Sequence, residues 1–534
     1  MARVTCLGAA ETVTGSNFLL ETQDGRKHLI DCGLFQGGRE VERFNWTDWG
    51  YDPREIQALF LTHAHIDHSG RIPKLVKDGF QGPIYTTGPT AELCGIMLED
   101  SAHIQEMEAQ WQSRKRKRQG RDEVEPLYTV EDAKACLGFF SAVERDRWIE
   151  LDGGLSARFR NAGHILGSSF LEIRLQGEEP MDIVFTGDIG QRDQLIVKNP
   201  ETVTEADYVF LESTYGNRLH RSFEESRREL LEAIQFSASR GEKVLIPAFA
   251  VERTQEIIYM LGEFQREGEL PDIPIYLDSP LAIKATEIFR KSRDSFDEKA
   301  QAIVQQGFDP LDMDNLRFTP STQESMAINE EQGPAIVIAG NGMCTAGRIK
   351  HHLKHNLWRE GASLVIVGFQ AAGTTGRKLA EGSSQVRIFG EDISVRARVF
   401  TIGGFSAHAD QKDLLDWVGG IATSPHIFLV HGERSASDIL AEKIRSQLGF
   451  NVSIPGFRER LTLKPRETVP EGALPVTEGV DVITQAHNRL VDLEKRLKEL
   501  RKRVASRELD KRLGEEELER LEAVQAEIDA LLRL

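Results

Sequence analysis

Cysteine is scarce: the 534 residues hold five, at positions 6, 32, 94, 136 and 344, odd in number and without a Cys-x-x-Cys pair. That excludes a disulfide-stapled scaffold and suits a reducing compartment. Long apolar runs are missing too, none approaching the ~18 residues of a membrane span. The opening MARVTCLGAAETVTGS lacks a charged stretch, an apolar core and a small-residue cleavage site. A cytoplasmic location with no membrane partner is therefore expected. Nor is there an excess of positive charge. The formal net charge of −18 speaks against the broad basic surfaces that usually bind nucleic acid. Local charge can override that balance. The run from Ser113 to Arg121, SRKRKRQGR, is either a substrate contact or a solvated loop tip.

What the chain does have is length and layered patterning. At 534 residues it exceeds what one hydrophobic core organises, so several domains are expected. Short apolar runs such as HLIDCG and ALFLTHAH alternate with helical stretches, the pattern of an α/β domain with buried strands. A second alternation starts after Asp207 (YVFLEST, KVLIPAFA, IPIYLDSP, AIVIAGNG, SLVIVGFQ) and reads as an inserted parallel sheet with crossover helices. The first pattern resumes near Val399. The expected division is residues 1–208 and 396–465 for the first domain and 209–395 for the insertion. Residues 466–534 then form a Pro/Gly/Glu-rich linker and a helical hairpin or coiled coil. There Leu490, Leu493, Leu497, Leu500 and Val504 recur by threes and fours, as do Leu518, Leu521, Gln525 and Ile528. A homodimer contact or a partner protein is expected on those helices.

The strongest chemical signal is LTHAHIDHSG at residues 61–70, which places His63, His65, Asp67 and His68 directly after an apolar strand. Three histidines and a carboxylate within six residues rarely arise from packing, and in a turn leaving a strand they can face two ions. Other strand ends offer more donors: His164 in NAGHILGSS, Asp188 in DIVFTGD and His431 in IFLVHGE. All share the strand-end position where ligands converge in layered α/β sites. The expected assignment gives one zinc to His63, His65 and His164 and a second to Asp67, His68 and His431, with Asp188 bridging. Such a pair sits roughly 3.5–4 Å apart and makes a bridging hydroxide available near neutral pH. Asp31, in HLIDCG, is expected to orient a metal-bound histidine through its other nitrogen.

LIDCGLFQG, LTHAHIDHSG, GHILGS, FTGDIG, LESTYG, GFSAHAD and LVHGE occur in that order. With them the chain resembles the β-CASP group of metallo-β-lactamase-fold nucleases, and is similar to the endonuclease subunit of the cleavage and polyadenylation specificity factor and its prokaryotic relatives. The resemblance runs from residue 1 to about 465 and leaves out the tail; the RNA-binding KH modules of some archaeal relatives are absent. It implies an αββα fold carrying the inserted domain as a lid over the metal cleft. By the same resemblance Asp31, the HxHxDH residues, His164 and Asp188 are the lactamase-fold motifs, and Glu212, His408 and His431 are the group's extra ones. A histidine at the last position marks RNA-directed members and a valine DNA-directed ones. Glu212 and His408 would pair near the leaving-group oxygen, His408 acting as general acid.

The expected activity is hydrolysis of single-stranded RNA by a two-zinc ribonuclease, endonucleolytic, in RNA processing or decay, with Asp67, Asp188, Glu212 and His408 as catalytic residues. Gly-rich turns at residues 340–348 and 369–377 either present phosphate contacts, with Gly340, Gly342, Thr375, Gly376 and Arg377 as candidates, or merely close βα units. The rivals are a DNA-directed nuclease, a small-molecule metallo-hydrolase and a scaffold without activity. The size of the insertion disfavours the second, and the complete ligand set the third.

Overall fold

The apolar runs become strands in the computed structural model, which describes residues 1–465 apart from Glu178, Phe369, Ala371 and Ala372. The expected C-terminal helices lie outside those residues. One seven-stranded sheet runs in the order Arg460–Leu463, Ala2–Cys6, Phe18–Glu21, Lys27–Ile30, Ile56–Phe60, Ile84–Thr87, Phe140–Val143. A second runs Val452–Ser453, His426–Val430, Tyr208–Glu212, Met181–Phe185, Ser169–Leu175, Leu155–Asn161, Ile149–Leu151.

The sheets pack face to face, and side-chain alternation explains why their strands read as unbroken apolar runs. On Tyr208–Glu212, Phe210 enters the space between the sheets with Phe18, Phe185 and Phe428, while Val209 and Leu211 face outward against Leu414, Trp417 and Leu440. Phe185 and Phe210 stack with centroids 4.5 Å apart, and Phe210 lies 4.9 Å from Phe428. Truncating one such ring to alanine costs about 3–5 kcal/mol. Helices Gln411–Gly419 and Arg434–Leu448 cover the outside of this sheet. Helices Ile72–Lys77, Gly88–Lys117 and Val130–Cys136 cover the other, through Leu75, Leu93, Leu98 and Ala133. The layers are αββα.

The insertion is a six-stranded, wholly parallel sheet in the order Leu316–Phe318, Ile275–Asp278, Ile336–Ala339, Val244–Pro247, Ser363–Val367, Arg398–Ile402. Two strands sit on the other side of the expected division. Tyr208–Glu212, read as the start of the insertion, pairs parallel with Met181–Phe185 and His426–Val430 in the lactamase body. Arg398–Ile402, read as the return, pairs parallel with Ser363–Val367 and completes the inserted sheet. A doubly buried strand has the same apolar pattern in either sheet, so pattern alone does not say which one receives it.

The two bodies are tied together. Asp297 N–H donates to Ile196 O at 2.7 Å, and Lys198 Nζ to Asp294 O at 2.8 Å. Helix Gly88–Lys117 packs against helix Pro280–Lys291 of the insertion. The basic run is only partly a loop tip: Ser113 to Lys117 form the last helical turn of Gly88–Lys117, and Arg118 to Gly120 the turn that follows.

Candidate metal centre

Each predicted donor leaves the end of a strand of the lactamase body. His63 and His65 follow Ile56–Phe60, and Asp67 and His68 lie on the short helix Ile66–Ser69. His164 follows Leu155–Asn161, Asp188 follows Met181–Phe185, and His431 follows His426–Val430. The loops approach so closely that two glycines are obligatory. A Cβ on Gly33 would lie 1.6 Å from the carbonyl oxygen of Asp67, and one on Gly190 1.6 Å from that of Gly163. Asp31 and His431 hold positive φ, 58° and 47°, a costly backbone state kept where the surroundings over-determine it.

The donors converge as two groups. His63, His65, His164 and Asp188 form one, and Asp67, His68 and His431 the other, with ligand atoms inside each group within 4.8 Å of one another. His63 Nε2 and His164 Nε2 lie 3.1 and 3.2 Å from His65 Nδ1. His68 Nε2 lies 3.2 Å from His431 Nε2, which is 3.4 Å from Asp67 Oδ2. Asp188 faces both: Oδ2 is 3.5 Å from His63 Nε2 and from His164 Nε2, while Oδ1 is 3.4 Å from His68 Nε2 and 3.3 Å from His431 Nδ1.

Proton accounting shows that this set fits cations. His164 Nδ1 faces the Ala407 carbonyl at 3.1 Å, which only accepts, so Nε2 carries a bare lone pair. Thr62 Oγ1 donates to Asp31 and so accepts from His63 Nδ1 at 3.1 Å, which leaves His63 Nε2 bare as well. His68 Nδ1 lies 2.7 Å from Asp31 Oδ2, fixing that ring by its far nitrogen as expected of a metal ligand. Asp31 is locked in turn by the Thr62 N–H at 2.9 Å and Ser16 Oγ at 3.1 Å. Asp188 Oδ1 is buried with no hydrogen-bond donor among the described residues. Lone pairs facing lone pairs around an orphaned carboxylate oxygen call for positive charge other than protons.

The electrostatics of His63, His65 and His164 point the same way, whereas those of His68 favour a proton. Burial holds His63 and His164 well below the usual imidazole range and takes His65 down to about 4. At His68 burial opposes charge, but Asp188 and Asp31 outweigh it and hold the group well above that range. Burial would raise Asp188, yet His431, His68 and His408 drive it well below the carboxylate range.

Glu212 and His408 sit beside Asp188, with His408 next to His164. Glu212 is fully buried, its Oε1 accepting from Ile189 N–H at 2.7 Å and meeting His408 Nδ1 at 3.3 Å. Burial pulls His408 down, but Glu212 and Asp188 push it up to about 9. Its ring lies 4.4 Å from that of His164, and its side chain keeps 22% exposure.

The Gly-rich turns behave differently. Gly376 N–H is taken by Met343 O at 3.0 Å, and Arg377 N–H by the Thr374 cap at 3.2 Å, while the Arg377 guanidinium pairs with Glu381 at 2.7 Å. Neither N–H is left for a phosphate: that of Gly376 ties its turn to the turn at residues 340–348, and that of Arg377 is capped at the start of the short helix Thr375–Ala380. Gly340 and Gly342 belong to the other turn, where Gln370 Nε2 donates to Gly342 O at 3.0 Å.

Sequence reasoning missed several supporting groups. Thr62 and the Ala407 carbonyl lie inside the motifs and could have been found there. Glu252 gave no signal. It is 2% exposed with φ 66°, and its Oε2 accepts from Leu166 N–H at 2.9 Å, two residues past His164. Burial, with Glu256 alongside, pushes its carboxyl well above the usual range. It braces the His164 loop from the insertion.

Three family models match in succession: the metallo-beta-lactamase superfamily over residues 11–248, the Beta-Casp domain over 254–379, and the Zn-dependent metallo-hydrolase RNA specificity domain over 392–455. Ribonuclease TTHA0252 of Thermus thermophilus is 41% identical over 457 residues, 86% of this chain and 99% of that one. Transcription termination factor FttA of Methanocaldococcus jannaschii is 31% identical over 86% of this chain and 72% of its own. An RNase J-like protein of the same organism is 30% identical over 84% and 96%. Strand-end donors grouped about Asp188 and an inserted parallel sheet thus occur in a chain that belongs to the β-CASP group of the metallo-β-lactamase superfamily, and it is a metal-dependent hydrolase.

Proposed function

We propose that this protein is a two-zinc ribonuclease that hydrolyses phosphodiester bonds within single-stranded RNA. The observation that carries this reading is Asp188, one oxygen toward His63 and His164 and the other toward His68 and His431. His63, His65 and His164 would hold one ion, Asp67, His68 and His431 the other, and Asp188 both. Five imidazoles among seven donors suit zinc rather than oxygen-seeking magnesium or calcium. Such a pair supplies a water deprotonated near neutral pH and neutralises charge on a phosphate.

The protein's own groups do the rest. Asp31 keeps His68 Nε2 aimed inward by holding Nδ1. Glu212 holds His408 Nδ1, leaving Nε2 to deliver a proton to the departing oxygen. RNA is favoured over DNA by three observations: His431 at the final motif, the RNA specificity domain model over residues 392–455, and the Thermus relative's identity as a ribonuclease. Gly340 and Gly342 remain candidate phosphate contacts at the strand ends of the inserted sheet.

The test is cleavage of matched RNA and DNA oligonucleotides and of circular RNA by the metal-replete protein. RNA cut in preference to DNA, with circles opened, is the expected result. Full-rate RNA cleavage by purified, metal-replete Asp67→Ala or His68→Ala would refute the assignment.

A further inference from the structure

Helix Gly88–Lys117 is 30 residues long, about 45 Å at the α-helical rise. Its start abuts the His164 loop, where Thr87 Oγ1 donates to Gly167 O at 2.7 Å. The first half is anchored through Leu93, Cys94, Leu98 and Ala102. From His103 onward only Ala109 is buried. Three large apolar side chains stand exposed there: Ile104 (49%), Met107 (58%) and Trp111 (64%). Their spacing of three and four puts them on one face, which Lys115 extends with its Nζ 5.5 Å from the Trp111 ring centroid. Beyond them come Arg114, Lys115, Arg116, Lys117, Arg118 and Arg121, all exposed. None of the six forms an ion pair among the described residues. The segment returning beside them, held by Val124 N–H on Ser113 Oγ at 2.8 Å, contributes Asp122, Glu123 and Glu125, so the tip keeps a positive balance.

A protein of net charge −18 that concentrates six unpaired cations beside an exposed tryptophan has built a local surface complementary to a polyanion with stacking bases. We infer that this exposed half-helix is an accessory site for single-stranded RNA, distant from the metal centre, with Trp111 stacking on a base and the cations meeting phosphates. This rests on the ribonuclease reading above and adds a second foothold for the substrate. The apolar face alone would suit a protein partner, but the unpaired cations favour a nucleic acid.

The experiment compares steady-state cleavage, by the full-length metal-replete protein, of an RNA of about 30 nucleotides with one of about 6, too short to occupy a separate site of ~4–16 nucleotides as well as the metal centre. In the combined variant Arg114→Gln, Lys115→Gln, Arg116→Gln, Lys117→Gln, KM for the long RNA should rise roughly tenfold or more, with kcat and the short substrate unchanged. The slope of log affinity against log salt should flatten by about 0.7 for each phosphate that the variant no longer neutralises. Trp111→Ala should raise the same KM roughly tenfold and Trp111→Phe restore most of it. Equal KM shifts on both RNAs, or none, would overturn the accessory site while leaving the ribonuclease reading intact. A change in sedimentation with KM unmoved would overturn it in favour of a protein-binding face. A wild-type protein that cuts neither RNA removes the ribonuclease reading and the accessory site together.

Discussion

Two buried aspartates at strand ends meet histidines in opposite ways. Asp278, in the inserted layer, is saturated. Its Oδ1 accepts from Thr319 Oγ1 at 2.8 Å and Arg348 Nη1 at 2.7 Å, and its Oδ2 from Ser325 Oγ and His352 Nε2, both at 2.6 Å. Asp188, in the lactamase body, is equally buried, yet its Oδ1 has no hydrogen-bond donor among the described residues although His68 and His431 stand beside it. The first is a closed polar network that ties strand ends together; the second belongs to a cluster whose side chains could hold a metal ion. Burial and residue type are the same in both, and what separates them is whether protons match lone pairs.

The comparison breaks most visibly at Asp188. Asp188→Ala should lower RNA cleavage by at least on the order of 10³-fold, since loss of a mere supporting partner already costs about 10–100-fold in metal affinity or activity. Elemental analysis should find less bound metal, with circular dichroism unchanged. Asp278→Ala should do the converse. Leaving Arg348 and His352 without their carboxylate should cost about 3–5 kcal/mol of stability in urea unfolding while metal content stays at the wild-type level.

Chelation sharpens the contrast. With metal at about 100 times its dissociation constant, removing it should cost roughly 2.7 kcal/mol of apparent stability for each ion. Asp278→Ala should lose the same increment and Asp188→Ala almost none, as read from thermal melts with and without chelator.

Acid separates them again. Burial alone would raise Asp278, but His352, Ser325 and Thr319 bring it down to about 2. A depressed carboxylate pKa gives stability that is present above the unfolded value of about 3.9 and is lost as pH falls toward 2, about 2–3 kcal/mol for this group. Urea unfolding at pH 5 and pH 3 should show about half of that loss, on the order of 1 kcal/mol, in the wild type and a smaller one in Asp278→Asn.

The smallest effect should come at the brace between the two bodies. Glu252→Ala removes the acceptor for Leu166 N–H and should lower kcat about 10-fold with metal retained, whereas Glu252→Gln, which keeps an acceptor oxygen, should recover most of it. An unchanged kcat in the alanine variant would show that the His164 loop holds itself.

How much of this was legible follows from where each signal lives. The HxHxDH run could be read because its donors are neighbours in sequence and too dense to be packing. His164, Asp188 and His431 could be read because each ends an apolar strand, and strand ends on one edge of a sandwich meet. The sheet that received Tyr208–Glu212 and Arg398–Ile402 could not, since a strand buried on both faces carries no mark of its neighbours. The turn at Thr374–Arg377 stayed ambiguous for a related reason: glycine shows that a backbone can bend, not which acceptor takes its amide.

Residue identity and spacing, which are local properties, set the chemistry of the side chains, the alternation that makes a layered α/β fold, and the acidic balance broken by one basic run. Only the tertiary structure decided that Asp188 Oδ1 lacks a donor among the described residues while Asp278 has a full set, that Glu252 reaches the His164 loop, and that the basic run begins on the last turn of a long helix. Those facts depend on which atoms meet across hundreds of residues, and packing alone settles that.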